Sequence, residues 1–163
     1  MTGKRLFIPG EPVAKARPRV TISKYTNRPH AFTPKKTEQA ERAIRNAWIT
    51  KHGKDPAAGP LSIHITFLYE VPKNWPKWKR EQAERYTLPK ITKPDTDNLV
   101  KTVMDALNGI AYKDDSVVYE ILARKKYAPA YANGTQIVIM SFDDGQDADG
   151  RDWYWMKERK VEE

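Results

Sequence analysis

The chain contains no cysteine, which excludes disulfides, thiolate metal sites and cysteine nucleophiles, and is compatible with a reducing, cytoplasmic setting. It has no apolar run long enough to span a bilayer. Met1-Thr2-Gly3-Lys4-Arg5 leads into only a short apolar stretch, so neither a signal peptide nor a membrane partner is expected. Three histidines, His30, His52 and His64, lack zinc-ligand spacing. Gly3-Lys4 has no upstream glycine that would make a phosphate-cradling loop, and no serine stands in an elbow motif. Zinc, nucleotide-loop and covalent-nucleophile chemistries therefore drop out.

What is abundant is charge. The 163 residues fit one domain, and 31% are Asp, Glu, Lys or Arg, with a net charge of +8. Residues 1–90 hold 19 Lys/Arg against 7 Asp/Glu, whereas residues 91–163 hold 10 against 14. A cationic surface beside a small acidic pocket suits a polyanion held by one and attacked in the other. Solubility alone is the competing explanation. Aromatics interleaved with the basic residues (Tyr25, Trp75, Trp78, Tyr86) favour nucleic acid.

The acidic half concentrates its carboxylates. Lys93-Pro94-Asp95-Thr96-Asp97-Asn98-Leu99-Val100-Lys101 opens a predicted helix, with Leu99, Val103 and Leu107 at helical spacing and Asn108-Gly109 as its stop. Asp95 and Asp97 converge only if one lies just outside the first turn, where capping places Asp95. Asp114-Asp115 follow in a turn before a strand. All-oxygen ligands suit a hard cation, Mg²⁺ or Mn²⁺. Helix-capping aspartates plus a turn are the plainer reading of each residue; the whole pattern in a basic chain points to a metal site. Lys101 lies one turn after Asp97, either as a plain ion-pair partner or as a group acting on developing charge, and Asp105 continues that stripe as a structural residue.

The rest of the chain predicts a strand from Leu6, then Lys15, Arg17 and Arg19 in alternation, a possible phosphate track or a charge-protected edge. Residues 21–32 read as a polar hairpin or loop. A helix begins at Thr33-Pro34, buries Ala40, Ile44, Ala47 and Trp48, and ends before Gly53. Residues 61–69 alternate as a strand, and a short helix is expected over about 77–86. The Pro- and Trp-containing segment 71–94 is either a substrate-contacting flap or a piece packed on the domain. A strand from Val117 and a return strand from Thr135 are joined by a hairpin signal at Ala132-Asn133-Gly134. The expected fold is α+β: a small, mostly antiparallel sheet packed with two main helices over residues 1–142. Residues 143–163 read as an acidic linker and an aromatic, basic tail. A calcium loop there fails, with Gly145 at the first ligand position and Met156 where Glu should stand.

Asp-x-Asp-Asn-Leu-x-Lys at 95–101, Asp105-Ala106-Leu107-Asn108-Gly109 and Asp114-Asp115-Ser116 together resemble the RusA family of Holliday-junction resolvases. Gly10 to Arg19 and Thr33 to Thr37 resemble its phage and prophage versions, the likeness covering roughly 5–142. The resemblance implies metal and catalytic roles for Asp95, Asp97 and Asp115, with Lys101 as a basic catalytic partner. It implies a RusA-like fold, a homodimer, Mg²⁺ with Mn²⁺ able to substitute, and paired cleavage of four-way DNA junctions in recombination and repair. Lys15, Arg17, Arg19 and Lys93 are the expected DNA contacts. The motif alone supports only a metal-dependent phosphodiesterase. Its rivals are a nuclease for other branched or single-stranded nucleic acid, RNA included, and a non-catalytic nucleic-acid-binding protein.

Overall fold

A computed structural model describes residues 2–16, 19–22, 29–32, 34–57, 59–85 and 88–141, with backbone alone for 2, 19–22 and 29–32. Strand β1 (Thr2–Pro9) is followed by a two-stranded antiparallel ribbon, β2 (Arg19–Ile22) and β3 (Pro29–Phe32). Helix α1 (Lys35–His52), strand β4 (Leu61–Glu70), helix α2 (Lys77–Glu84) and helix α3 (Thr96–Leu107) come next. A 3₁₀ turn at Asp115–Val117 leads into β5 (Val118–Ala128), and β6 (Gly134–Ser141) ends the described chain. The expected α+β architecture is present. The acidic and aromatic tail, 143–163, lies outside the described residues.

The main sheet runs β1-β6-β4-β5, antiparallel at β1/β6 and β6/β4 and parallel at β4/β5. This corrects the expected hairpin: β5 and β6 do not pair, because β4 stands between them. Gly134 serves a different need from a hairpin turn. A Cβ there would lie 2.4 Å from the Ile8 carbonyl oxygen and 2.6 Å from the Phe7 ring, so only glycine lets β1 and β6 close.

Central strand β4 explains the core. Leu61, Ile63, Ile65 and Phe67 are essentially inaccessible and face α1 and α3 together with Ile137 and Ile139 of β6. Helix α3 adds Leu99, Val103, Ala106 and Leu107, all fully buried and spaced at helical period. Each Leu or Val so buried stabilises the fold by about 1.5–3 kcal/mol. Trp48 and Ile44 seal α1 against the same core. Arg45 of α1 donates from Nε to the Ala106 carbonyl at 3.3 Å, satisfying an acceptor in the last turn of α3.

The segment before α3 is docked rather than free-standing. Trp75 meets Tyr127 edge-on with centroids 4.7 Å apart, Lys79 lies over the Trp75 ring, and Ala83 of α2 is fully buried. Trp78 remains exposed.

Candidate active site

Strand β5 is the edge of the sheet, and its first half is left uncovered by α3. The result is a groove of about 620 Å³. Thr96, Asp97, Val100, Lys101 and Met104 form the α3 wall, and Asp115 with Val118, Ile121 and Ala123 forms the other. Asp97 and Lys101 share one helix face, as their spacing requires. Asp115 arrives from a separate element, the 3₁₀ turn.

Three local devices fix these positions. First, Tyr112, wholly buried, donates from Oη to the Met104 carbonyl at 2.9 Å and so ties the turn after α3 back onto the helix. Burial, and next the neighbouring Asp115 carboxylate, push the Tyr112 hydroxyl up, keeping it a neutral donor. Second, Asp114 accepts from the Ser116 backbone N–H at 2.9 Å, a bond that caps the turn; the Ser116 hydroxyl and then this backbone N–H hold the Asp114 carboxyl below its usual range. Asp114 is thereby a capping residue, while Asp115 faces the groove.

Third, two lysines gather the chain entering α3. Lys125 Nζ donates to the carbonyls of Thr92 at 2.9 Å and Pro94 at 2.7 Å. Lys90 Nζ donates to Thr92 Oγ1 at 2.6 Å and to the Lys93 carbonyl. Burial and then the Lys125 charge lower the Lys90 ammonium pKa. The segment Thr92-Lys93-Pro94 is thus folded around cations just before Asp95, the N-cap of α3. The sequence pattern gave no signal for either lysine, since their carbonyl partners carry no side-chain signature.

Asp95 occupies the N-cap position with extended backbone, as expected, yet its side chain makes no capping hydrogen bond. Its carboxylate is exposed and stands at the helix entrance, outside the groove lining. Among the described residues, no three carboxylates or histidines stand close enough to close on one ion. Asp97 and Asp115 are the two that share the groove. Two carboxylates with no thiolate or imidazole beside them suit Mg²⁺, which keeps several waters and takes one or two protein carboxylates along with substrate phosphate oxygens.

Lys101 does not pair with Asp97. It donates to Asp105 at 2.8 Å, and Asp105 also lies 2.9 Å from Lys15 Nζ. Lys15 in turn donates to Glu41 of α1, and its backbone N–H bonds the Asn98 carbonyl at 2.8 Å. The segment 11–16 therefore runs between α1 and α3, and Lys15 faces carboxylates there rather than an open track. Arg17 and the Arg19 side chain lie outside the described residues. Lys93 is exposed beside the helix entrance.

A family model described as endodeoxyribonuclease RusA matches residues 9–140, an interval that contains every site element above. The chain is also 36% identical over 121 residues to the uncharacterized protein YqaN of Bacillus subtilis (strain 168), covering 73% of this chain and 84% of that one. The family match runs from the end of β1 through both core helices and the groove into β6. The chain belongs to the RusA endodeoxyribonuclease family.

Proposed function

We propose that this protein is a metal-dependent endodeoxyribonuclease that resolves four-way DNA junctions by paired phosphodiester hydrolysis in recombination and repair. The observation that carries the reading is the groove in which Asp97 and Lys101 of α3 face Asp115, with Asp95 at the N-cap of the same helix, in a chain of the RusA family. Asp97 and Asp115 would hold Mg²⁺ or Mn²⁺ in the groove, with Asp95 as the further carboxylate at the start of α3. A bound ion of this kind supplies charge neutralisation at the scissile phosphate and a water of lowered pKa. Lys101 places its ammonium at the groove wall, where it offsets the negative charge that develops on the phosphate oxygens. Arg17, Arg19 and Lys93 bind flanking phosphates.

A junction is resolved by nicks in two opposed strands, so two copies related by a two-fold axis supply two matching sites. The working unit is therefore a homodimer. No described helix is long and apolar enough to cross a membrane.

The test is cleavage of labelled four-way junctions, flaps, single strands and linear duplexes under Mg²⁺ titration, with light scattering at the same protein concentration. Metal-dependent, symmetrical cutting of junctions by a dimer is expected. Preference for flaps or single strands would move the protein to another nucleic-acid substrate, and binding without cutting at any metal concentration would leave only a nucleic-acid-binding role.

A further inference from the structure

Asp105 lies one helical turn beyond Lys101 on α3 and stands between two ammonium groups. It accepts from Lys101 Nζ at 2.8 Å and is 2.9 Å from Lys15 Nζ. Lys15 reaches across to Glu41, so four alternating charges connect α1, the 11–16 segment and α3. The interior members are largely covered, with side-chain exposures of 16% for Glu41, 23% for Lys15 and 24% for Asp105. Lys101 is the open end at 60%, and it is also the member that lines the groove.

That polarity separates this network from an ordinary surface ion pair. An isolated exposed i,i+4 pair leaves both side chains free to exchange partners with water. Here Asp105 is held from behind by a lysine that is itself fixed at both its ammonium and its backbone N–H. Burial would push the Asp105 carboxyl up, but the hydrogen bonds and charges of Lys101 and Lys15 outweigh it and keep the group ionised. A flexible lysine that must meet a developing charge in one geometry loses rotamer freedom at that moment, unless a fixed partner has ordered it beforehand. We propose that Asp105, backed by Lys15 and Glu41, is the positioning residue for Lys101 in phosphodiester cleavage. Lys15 accordingly serves cleavage through this network and not by gripping a phosphate. The inference rests on the nuclease reading above.

The experiment measures single-turnover cleavage and junction affinity for the wild-type protein, Asp105→Asn, Lys101→Met and the double variant. Asp105→Asn is expected to cut at least tenfold more slowly while its junction affinity stays within twofold. Because Asp105 acts through Lys101, the double variant should be no slower than Lys101→Met alone. A merely structural residue would instead slow both backgrounds by the same factor, and that result overturns the proposal, as does normal cutting by Asp105→Asn. Should Asp105→Asn fail to fold by circular dichroism, Lys15→Met carries the same comparison, with Lys15→Arg expected to restore the rate. Loss of fold in both Asp105→Asn and Lys15→Met assigns the network to stability and refutes the positioning role. A wild-type protein that cuts no DNA defeats the nuclease reading itself, whereas a cutting wild type with an indifferent Asp105 defeats this inference alone.

Discussion

Asp97 and Asp115 reach one groove from a helix and from a 3₁₀ turn, so each carboxylate can be removed without disturbing the element that bears the other. Asp95→Asn, Asp97→Asn and Asp115→Asn are each expected to keep the fold, bind junctions and lose cleavage by about a hundredfold or more, since the change deletes an anionic ligand at constant size. Binding should hold or tighten as repulsion of phosphate falls. The same change at Asp143, Asp144, Asp147 or Asp149 should leave cutting intact. Gel-shift and cleavage assays on one junction check all seven. A second residue-scale expectation concerns pH. Asp105 is held below its ordinary value of 3.8, so its contribution to stability is present above that value and is lost as pH falls through the lower folded value. Lys15 is held above 10.5 despite burial, because Glu41 and Asp105 outweigh that burial, so its contribution is lost only as pH rises beyond 10.5. The melting-temperature gap between wild type and Asp105→Asn should stay constant from about pH 5 to pH 9 and close at the acid end. Sequence spacing already put Lys101 beside two acids, Asp97 and Asp105. The structure pairs Lys101 with Asp105, which Lys15, distant in sequence, holds from the other side, and no local pattern connects Lys15 to α3.

At the scale of elements, the helix bearing the motif was legible almost to the residue. Leu99, Val103 and Leu107 repeat at its period, Asp95 sits at the N-cap and Asn108 at the C-cap. The pairing of β5 was not legible. Alternation in Val118–Ala128 says that a strand exists but not which neighbour it takes, and Gly134 signals an unusual backbone demand without telling a tight turn from close strand approach. The lysine clamp on residues 92–94 was equally hidden, because backbone carbonyls accept from any cation that reaches them. Lys125→Met should release the carbonyls of Thr92 and Pro94 and destabilise the fold by about 1–3 kcal/mol. Faster amide exchange should be confined to the start of α3, and cleavage should fall more than junction affinity. Urea unfolding combined with hydrogen exchange separates this from global loss of structure; unchanged exchange at residues 95–98 would rule the clamp out.

Across the whole molecule, the charge asymmetry of the chain survives folding in a particular way. The acidic half supplies both the Asp97–Asp115 groove and Asp105, while the basic half sends Lys15 into that region as a counter-charge. Composition suggested a cationic body and an acidic pocket, but nothing in it marked Lys15 as the partner of an acid on α3. The N-terminus of α3 shows a related compromise. Asp95 occupies the position where a side-chain oxygen ordinarily satisfies a free helix N–H, and it makes no such bond. A side-chain cap bond at that position is worth about 1 kcal/mol, or roughly 2–4 °C in a domain of this size, and Asp95 leaves it unmade. Asp95→Ser is therefore expected to melt higher and to cut far less, with scanning calorimetry and junction cleavage read on the same sample. If so, selection has kept this helix short of the durability within its reach, and a screen for heat tolerance alone would steer the protein toward a sturdier, inert form.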